Sequence, residues 1–252
     1  MFIFNFFRLI IGLLVIGVVF LVGMLVHAVT WVIGRWDQAA CDRMRWSYIQ
    51  ACLKVIWFVI GGPTTVIGLE NVPTDRPVLF VGNHRSMVDI VLSGAKSPVP
   101  VGYVAKQELW KVPFLNVLMD DARCVKIDRK DPRNGLKAIL QVIDYLKAGR
   151  SMYIFPEGTR GRVEGEMLPF HAGSFKAAYK AGVPIVPVTI VNMGDVFEDH
   201  VPWLKWVPVA IEYGAPIETA GMDRQAQKEL PEKLRAQMLE TYAKDSGLIG
   251  LT

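Results

Sequence analysis

Pro77-Val78-Leu79-Phe80-Val81-Gly82-Asn83-His84-Arg85-Ser86-Met87-Val88-Asp89 is the stretch on which the fold turns. It opens with a short apolar run, the pattern of a buried strand. Gly82 and Asn83 break that run. Ser86-x-x-Asp89 then has the form of a helix start, with a hydroxyl at the cap and a carboxylate in the first turn. A buried strand that ends in polar residues and turns into a helix is the unit of an α/β fold. It sets those polar residues at the carboxyl edge of the sheet, where open α/β folds bind ligands.

The flanking sequence repeats this unit. Thr64-Thr65-Val66-Ile67 reads as a strand, separated from residues 77–81 by the turn-rich Asn71-Val72-Pro73-Thr74-Asp75. Further strands are expected at residues 101–104, 124–127, 152–155, 185–190 and 207–213. The clearest helix covers residues 132–148: Asp131 can cap it, Pro132 suits its first turn and Gly149 ends it. Leu136, Ile139, Leu140, Ile143 and Leu146 are expected to form its buried stripe. A last helical stretch, residues 225–244, is expected to restart at Pro231. The fold class is α/β, a mainly parallel sheet flanked by helices.

Composition adds a second part. The 252 residues are 52% hydrophobic and 21% charged, which excludes intrinsic disorder, and three cysteines exclude a disulfide scaffold. The apolar residues are unevenly spread, since 43 of them lie among the first 60 residues. Residues 9–34 contain no Asp, Glu, Lys or Arg. As a helix that run would be roughly 39 Å long, enough to cross a hydrocarbon core of about 30 Å. It is too long for the apolar core of a secretory signal, and Gly34-Arg35-Trp36 makes a poor cleavage site. The chain therefore carries an N-terminal apolar membrane-associated helical segment.

Arg35, Arg43 and Arg45 follow the run and only Arg8 precedes it, which puts everything after residue 35 in the cytoplasm. Trp31, Trp36 and Trp46 suit the headgroup level or core packing. Residues 48–60 are too short to span. They can dock on the following domain or lie in the interface, with Trp57 anchoring and Lys54 snorkelling. Cys41, Cys52 and Cys124 have no pairing or metal spacing, consistent with a reducing compartment. Most of the net charge of +4 lies in the first 60 residues, so nucleic-acid binding is not expected.

Two segments carry chemistry. His84 and Asp89 are five residues apart and meet if His84 precedes the helix while Asp89 lies in its first turn. An imidazole held by a carboxylate at one ring nitrogen accepts a proton at the other, as a general base must. The same residues also fit a structural reading, with Asp89 capping the helix and His84 satisfying loop backbone. Phe155-Pro156-Glu157-Gly158-Thr159-Arg160-Gly161-Arg162 follows another apolar strand. Glycines admit close backbone approach, guanidinium groups grip phosphate, and Glu157 can hold an arginine or a ligand hydroxyl. A charged surface turn is the plainer reading. Neither a nucleotide phosphate loop nor a G-x-G-x-x-G follows a strand. His27, inside the apolar run, reads as interhelical glue. His171 reads as structural, and His200 has no evident partner.

Taken together, Asn83-His84-x4-Asp89 and Phe155-Pro156-Glu157-Gly158-Thr159-Arg160 resemble motifs one and three of the glycerolipid acyltransferases, most closely the 1-acylglycerol-3-phosphate acyltransferases. Lys106-Gln107-Glu108-Leu109 with Pro113-Phe114, leading to Ile127-Asp128-Arg129, is similar to the second motif. Val183-Pro184-Ile185-Val186-Pro187-Val188 is similar to the fourth. The resemblance covers roughly residues 71–213. Arg123 and Lys126 depart from it, standing where the second motif has a glycine and an apolar residue.

The resemblance implies a membrane segment over residues 1–62 and an acyltransferase catalytic domain over residues 63–252. It implies transfer of a fatty acyl group from acyl-CoA or acyl-carrier protein, as co-substrate and without a cofactor or metal, to lysophosphatidic acid. His84 would act as base with Asp89 orienting it, and Lys106, Arg129, Glu157, Gly158, Thr159 and Arg160 would bind substrate. The tetrahedral intermediate needs an oxyanion donor that the sequence does not identify, with backbone N–H groups near Lys106 as a candidate. The expected location is the cytoplasmic face of the inner membrane, on an anionic membrane surface. Glycerol 3-phosphate, another lysophospholipid or a lyso-aminolipid remain alternative acceptors. A hydrolase lacks its G-x-S-x-G, and a catalytically dead lipid-binding protein is the reading outside enzymes.

Overall fold

The computed structural model describes residues 2–128 and 132–251. Arg129 and the expected helix cap Asp131 lie outside the described residues. Among those described, seven strands form one sheet: β1 (Thr64–Ile67), β2 (Leu79–Gly82), β3 (Val101–Lys106), β4 (Val125–Ile127), β5 (Ser151–Ile154), β6 (Ile185–Val191) and β7 (Val209–Tyr213). Their spatial order is β1-β7-β6-β2-β5-β3-β4, and each adjacent pair is parallel except β6 with β7. Because β2, β3, β4, β5 and β6 run the same way, the segments that follow them emerge at one sheet edge. The loops after β2 and β5 emerge side by side, since those strands are neighbours.

Alternate residues of each strand serve two cores. Leu79, Val81, Met152 and Ile154 face one side, which is covered by α5 (Pro132–Lys147), α6 (Ala172–Ala181) and α7 (Arg224–Leu248). Phe80, Tyr153, Val188 and Ile211 face the other, covered by α2 (Gln38–Ile60) and α3 (Asp89–Lys96). Burial on both sides explains why the strands read as continuous apolar runs instead of alternating ones. The expected α/β class, with its mainly parallel sheet, is the observed one.

Two helices depart from expectation. On α5, Leu136 and Leu140 are 63% and 51% exposed, while Ala138, Val142, Ile143 and Leu146 are buried. The true stripe is 138, 142 and 146 at four-residue spacing. A residue two positions earlier points about 200° away round the helix. The small Ala138 hid the stripe behind the larger leucines. On α7 the helix runs through Pro231 instead of restarting there. Pro231 is buried between Leu230 and Leu234, so packing offsets the loss of one backbone donor. Gly149 ends α5 as expected, at φ +81°, with its amide donating to Leu146 O at 3.0 Å.

At the N-terminus, α1 (Phe2–Ile33) turns at residues 34–37 and pairs with α2 as an antiparallel hairpin. Gly12 faces Ile60, Gly23 faces Tyr48, and Thr30 Oγ1 accepts from Arg45 Nε at 3.0 Å. Residues 9–33 are long and apolar enough to cross a membrane, and Leu13, Leu14, Leu21 and Leu25 on this helix are exposed. Trp57 is buried beneath α2 and donates to Thr64 Oγ1 at 2.9 Å. Of the two placements open for residues 48–60, docking on the domain is the one adopted.

His27 acts between helices, as its position in the apolar run suggested. Its Nδ1 lies 2.9 Å from Asp121 Oδ2 on α4 (Leu115–Asp121), and Arg45 Nη1 pairs with the same carboxylate at 3.1 Å. Arg123, standing where the second motif has glycine, adopts a left-handed backbone at φ +58°. Glycine reaches that conformation without steric cost. The arginine side chain has another use here, donating to Asp42 on α2 at 3.0 Å.

Candidate active site

The site begins where β2 ends. Asn83 replaces a ladder step with its amide: Nδ2 donates to Ile190 O at 2.8 Å, and Oδ1 accepts from Ile190 N at 2.8 Å. This pins the loop to β6 and aims the next residue across the sheet edge. His84 precedes α3 and Asp89 opens it, the arrangement that lets the two meet. His84 Nδ1 lies 2.9 Å from Asp89 Oδ2. The same oxygen accepts from the amides of Arg85 at 2.8 Å and Ser86 at 2.9 Å. Asp89 is fully buried, so it serves as helix-start acceptor and imidazole holder at once. Asp89 thus opens α3 and holds both the imidazole and the loop amides that precede the helix, while the N-cap position itself is Val88, with no side-chain cap. A proton on Nδ1, donated to that carboxylate, leaves Nε2 as the acceptor.

The loop after β5 supports this pair from beside it. The His84 ring stacks on Phe155, with centroids 4.1 Å apart and planes 22° apart. Glu157 lies under the loop, where Oε1 accepts from His84 N and Oε2 from Leu168 N, both at 2.8 Å. Burial pushes the Glu157 carboxyl above the usual carboxylate range, against the lowering pull of those two amides. Sequence reading offered Glu157 to an arginine or a ligand hydroxyl. In the free protein each oxygen accepts from one backbone amide and the residue is 3% exposed, so Glu157 braces the two loops. Glu157→Gln would turn one oxygen into an NH2 facing an N–H. The loss of one buried hydrogen bond is expected to cost about 1–3 kcal/mol, read as a lower denaturant midpoint. An unshifted midpoint would count against the bracing role.

Gly158 takes a left-handed φ of +70°, and a Cβ there would lie 3.0 Å from the His171 ring. His171 thus flanks the turn, and its amide donates to Pro156 O at 2.9 Å. Thr159 and Arg160 are exposed beyond this turn. The Gly161 amide donates back to His84 O at 2.7 Å, which locks the two loops together. Lys106 ends β3, two strands away from β2 at the same edge. Its ammonium lies 3.5 Å from Glu108. Arg129 lies outside the described residues.

Several contributors were missed by sequence reading. Arg85 is buried and forms ion pairs with Glu164 at 3.1 Å and with Asp199. Glu198, on the π turn Gly194–Glu198, reaches both loops: Oε1 accepts from Arg160 Nη1 at 2.6 Å, and Oε2 from Met87 N at 3.2 Å and Ser86 Oγ at 3.4 Å. Only the position of this turn after β6, at the shared edge, could have pointed to it. His200, without an evident partner in the sequence, lies 2.7 Å from Asp195.

A family model described as Acyltransferase matches residues 63–191. The chain is 29% identical over 198 residues to a 1-acyl-sn-glycerol-3-phosphate acyltransferase of Borreliella burgdorferi, covering 79% of each protein. It is 29% identical over 199 residues to the protein of that name in Saccharomyces cerevisiae, covering 78% of this chain and 65% of the yeast protein. The crystal structure of the 1-acyl-sn-glycerophosphate acyltransferase PlsC from Thermotoga maritima superposes with a TM-score of 0.82 at 23% identity, covering 95% of this chain and 96% of that one.

Proposed function

This chain belongs to the acyltransferase family, and from that membership we propose that it moves a fatty acyl group from a carrier thioester to the sn-2 hydroxyl of 1-acyl-glycerol 3-phosphate, forming phosphatidic acid for phospholipid synthesis. The observation that carries the reading is the His84–Asp89 pair, set beside the Arg160 loop at the carboxyl edge of the sheet. His84 Nε2 removes the hydroxyl proton as the oxygen attacks the thioester carbonyl. Asp89 holds the ring and stabilises the imidazolium that forms. The tetrahedral intermediate then collapses, the carrier thiolate leaves, and the imidazolium supplies its proton.

No side chain forms an acyl intermediate in this scheme. The rate comes from holding both substrates together and from charge stabilisation by fixed donors. Phe155 gives the ring a flat apolar floor, and Glu157 fixes the backbone from which His84 projects. Arg160, with Thr159 and the open Gly158 turn, receives the acceptor phosphate. Lys106, which ends β3, adds positive charge along the same edge, and Arg129 is assigned to the phosphate on the motif resemblance alone. The thioester, from acyl-CoA or acyl-carrier protein, is a co-substrate, and the scheme uses no resident cofactor.

The exposed face of α1 suits a lipid environment, and the α1–α2 hairpin joins it directly to the domain. We take residues 1–62 as the membrane-attachment unit and residues 63–252 as the catalytic domain. The basic residues that follow α1 support a reading in which that domain works at the cytoplasmic face of the inner membrane, against anionic lipid. The test is an acceptor panel: purified protein in lipid vesicles, a labelled acyl thioester, and lysophosphatidic acid set against glycerol 3-phosphate, other lysophospholipids and a lyso-aminolipid. Labelled phosphatidic acid should be the dominant product. A dominant product from another acceptor would replace the substrate assignment.

A further inference from the structure

We propose that Glu198 is a built-in competitor for the acceptor's phosphate: in the free enzyme its carboxylate fills the anion subsite, and it must leave as substrate enters. The proposal rests on the assignment of Arg160 to that phosphate. It goes beyond that assignment by giving the same subsite an internal occupant and a specificity-determining residue.

The geometry is that of an occupied anion site. One carboxylate collects a guanidinium N–H from Arg160 at 2.6 Å, a backbone N–H from Met87 at 3.2 Å and a hydroxyl from Ser86 at 3.4 Å. The donors come from the loops after β5 and β2. Guanidinium groups and backbone amides before a helix are the donor types that bind phosphate oxygens. Ser86 and Met87 lie between His84 and Asp89, so the subsite adjoins the base. That is where a phosphate must sit if a nearby hydroxyl is to reach His84.

Glu198 is free to leave because other contacts hold its turn. The Gly194 amide donates to Glu164 Oε2 at 3.0 Å, and Asp199 pairs with the buried Arg85. Release therefore needs a side-chain swing and not unfolding of the segment. The Arg160 and Glu198 side chains are 43% and 21% exposed, and such solvent-reached pairs are weak. A phosphate brings more charge and more acceptor oxygens than a carboxylate, so it satisfies the same donors better. A headgroup without an anion has nothing with which to replace Glu198. The carboxylate thus disfavours neutral acceptors, a repulsive element that sharpens selection.

The test compares initial rates of the unaltered enzyme, Glu198→Gln, Arg160→Ala and the double variant in lipid vesicles. The acceptors are lysophosphatidic acid and its dephosphorylated form, with inorganic phosphate as inhibitor. Glu198→Gln is expected to lower KM for lysophosphatidic acid by about two- to fivefold. Inorganic phosphate should then inhibit at correspondingly lower concentration, and both effects should vanish in the Arg160→Ala background. Glu198→Ala should lower KM as well, which separates competition from a peculiarity of the glutamine. If KM is unchanged or rises while Arg160→Ala still abolishes phosphate preference, Glu198 orients Arg160 and the proposal is overturned. If Arg160→Ala leaves phosphate preference intact, the Arg160 assignment fails and takes the proposal with it.

Discussion

His84→Ala is expected to lower kcat by at least about 10²-fold, the lower range for removal of a general base, with KM for the acceptor little changed. The expectation follows from what the ring does and does not hold. Its Nδ1 contact is one of three on Asp89 Oδ2, and the other two, from the Arg85 and Ser86 amides, survive the substitution. Glu157 grips the backbone amide of residue 84, not its side chain. The loop should therefore keep its shape while the proton acceptor is lost. A variant of normal stability that still transfers acyl groups at the original rate would remove His84 from the reaction.

Arg160→Ala carries the second large effect. It should lower kcat/KM for lysophosphatidic acid by about ten- to a hundredfold, the range for losing a charge-assisted hydrogen-bonded contact. The dephosphorylated acceptor should change by less than about threefold. Arg160 is exposed and its partner in the free protein is Glu198, so its removal leaves no buried group unpaired and the fold should hold. An equal loss with both acceptors would assign Arg160 to something other than the phosphate.

Much of the fold was legible because the sheet is buried on both faces. Each strand then needs an unbroken apolar run, and such runs stand out between glycines and polar turns. All seven expected strands correspond to observed ones within a few residues at their ends. Helix faces were harder to read. On α5 the bulk of Leu136 and Leu140 outweighed Ala138, although contact with the sheet rewards the correct angle and not the larger side chain. Pro231 was read by its local cost, while its burial between Leu230 and Leu234 decides the outcome. At the site, His84 and Asp89 lie close in sequence, so local geometry reveals the pair. Glu157 carries the right charge for a ligand contact, and only the fold shows that it also accepts from two backbone amides. Glu198 is more than a hundred residues from Met87 and becomes visible only when β6 is set beside β2.

The central claim is direct transfer from thioester to acceptor at the His84 edge. It is tested most directly by mixing purified enzyme in vesicles with a labelled acyl thioester, first alone and then with lysophosphatidic acid. Rapid quenching follows the label and the released thiol together. The account predicts that label stays in the thioester until the acceptor arrives, then passes to phosphatidic acid with one thiol released per product formed. Release of thiol without acceptor, with label in the protein or in free fatty acid, would contradict it.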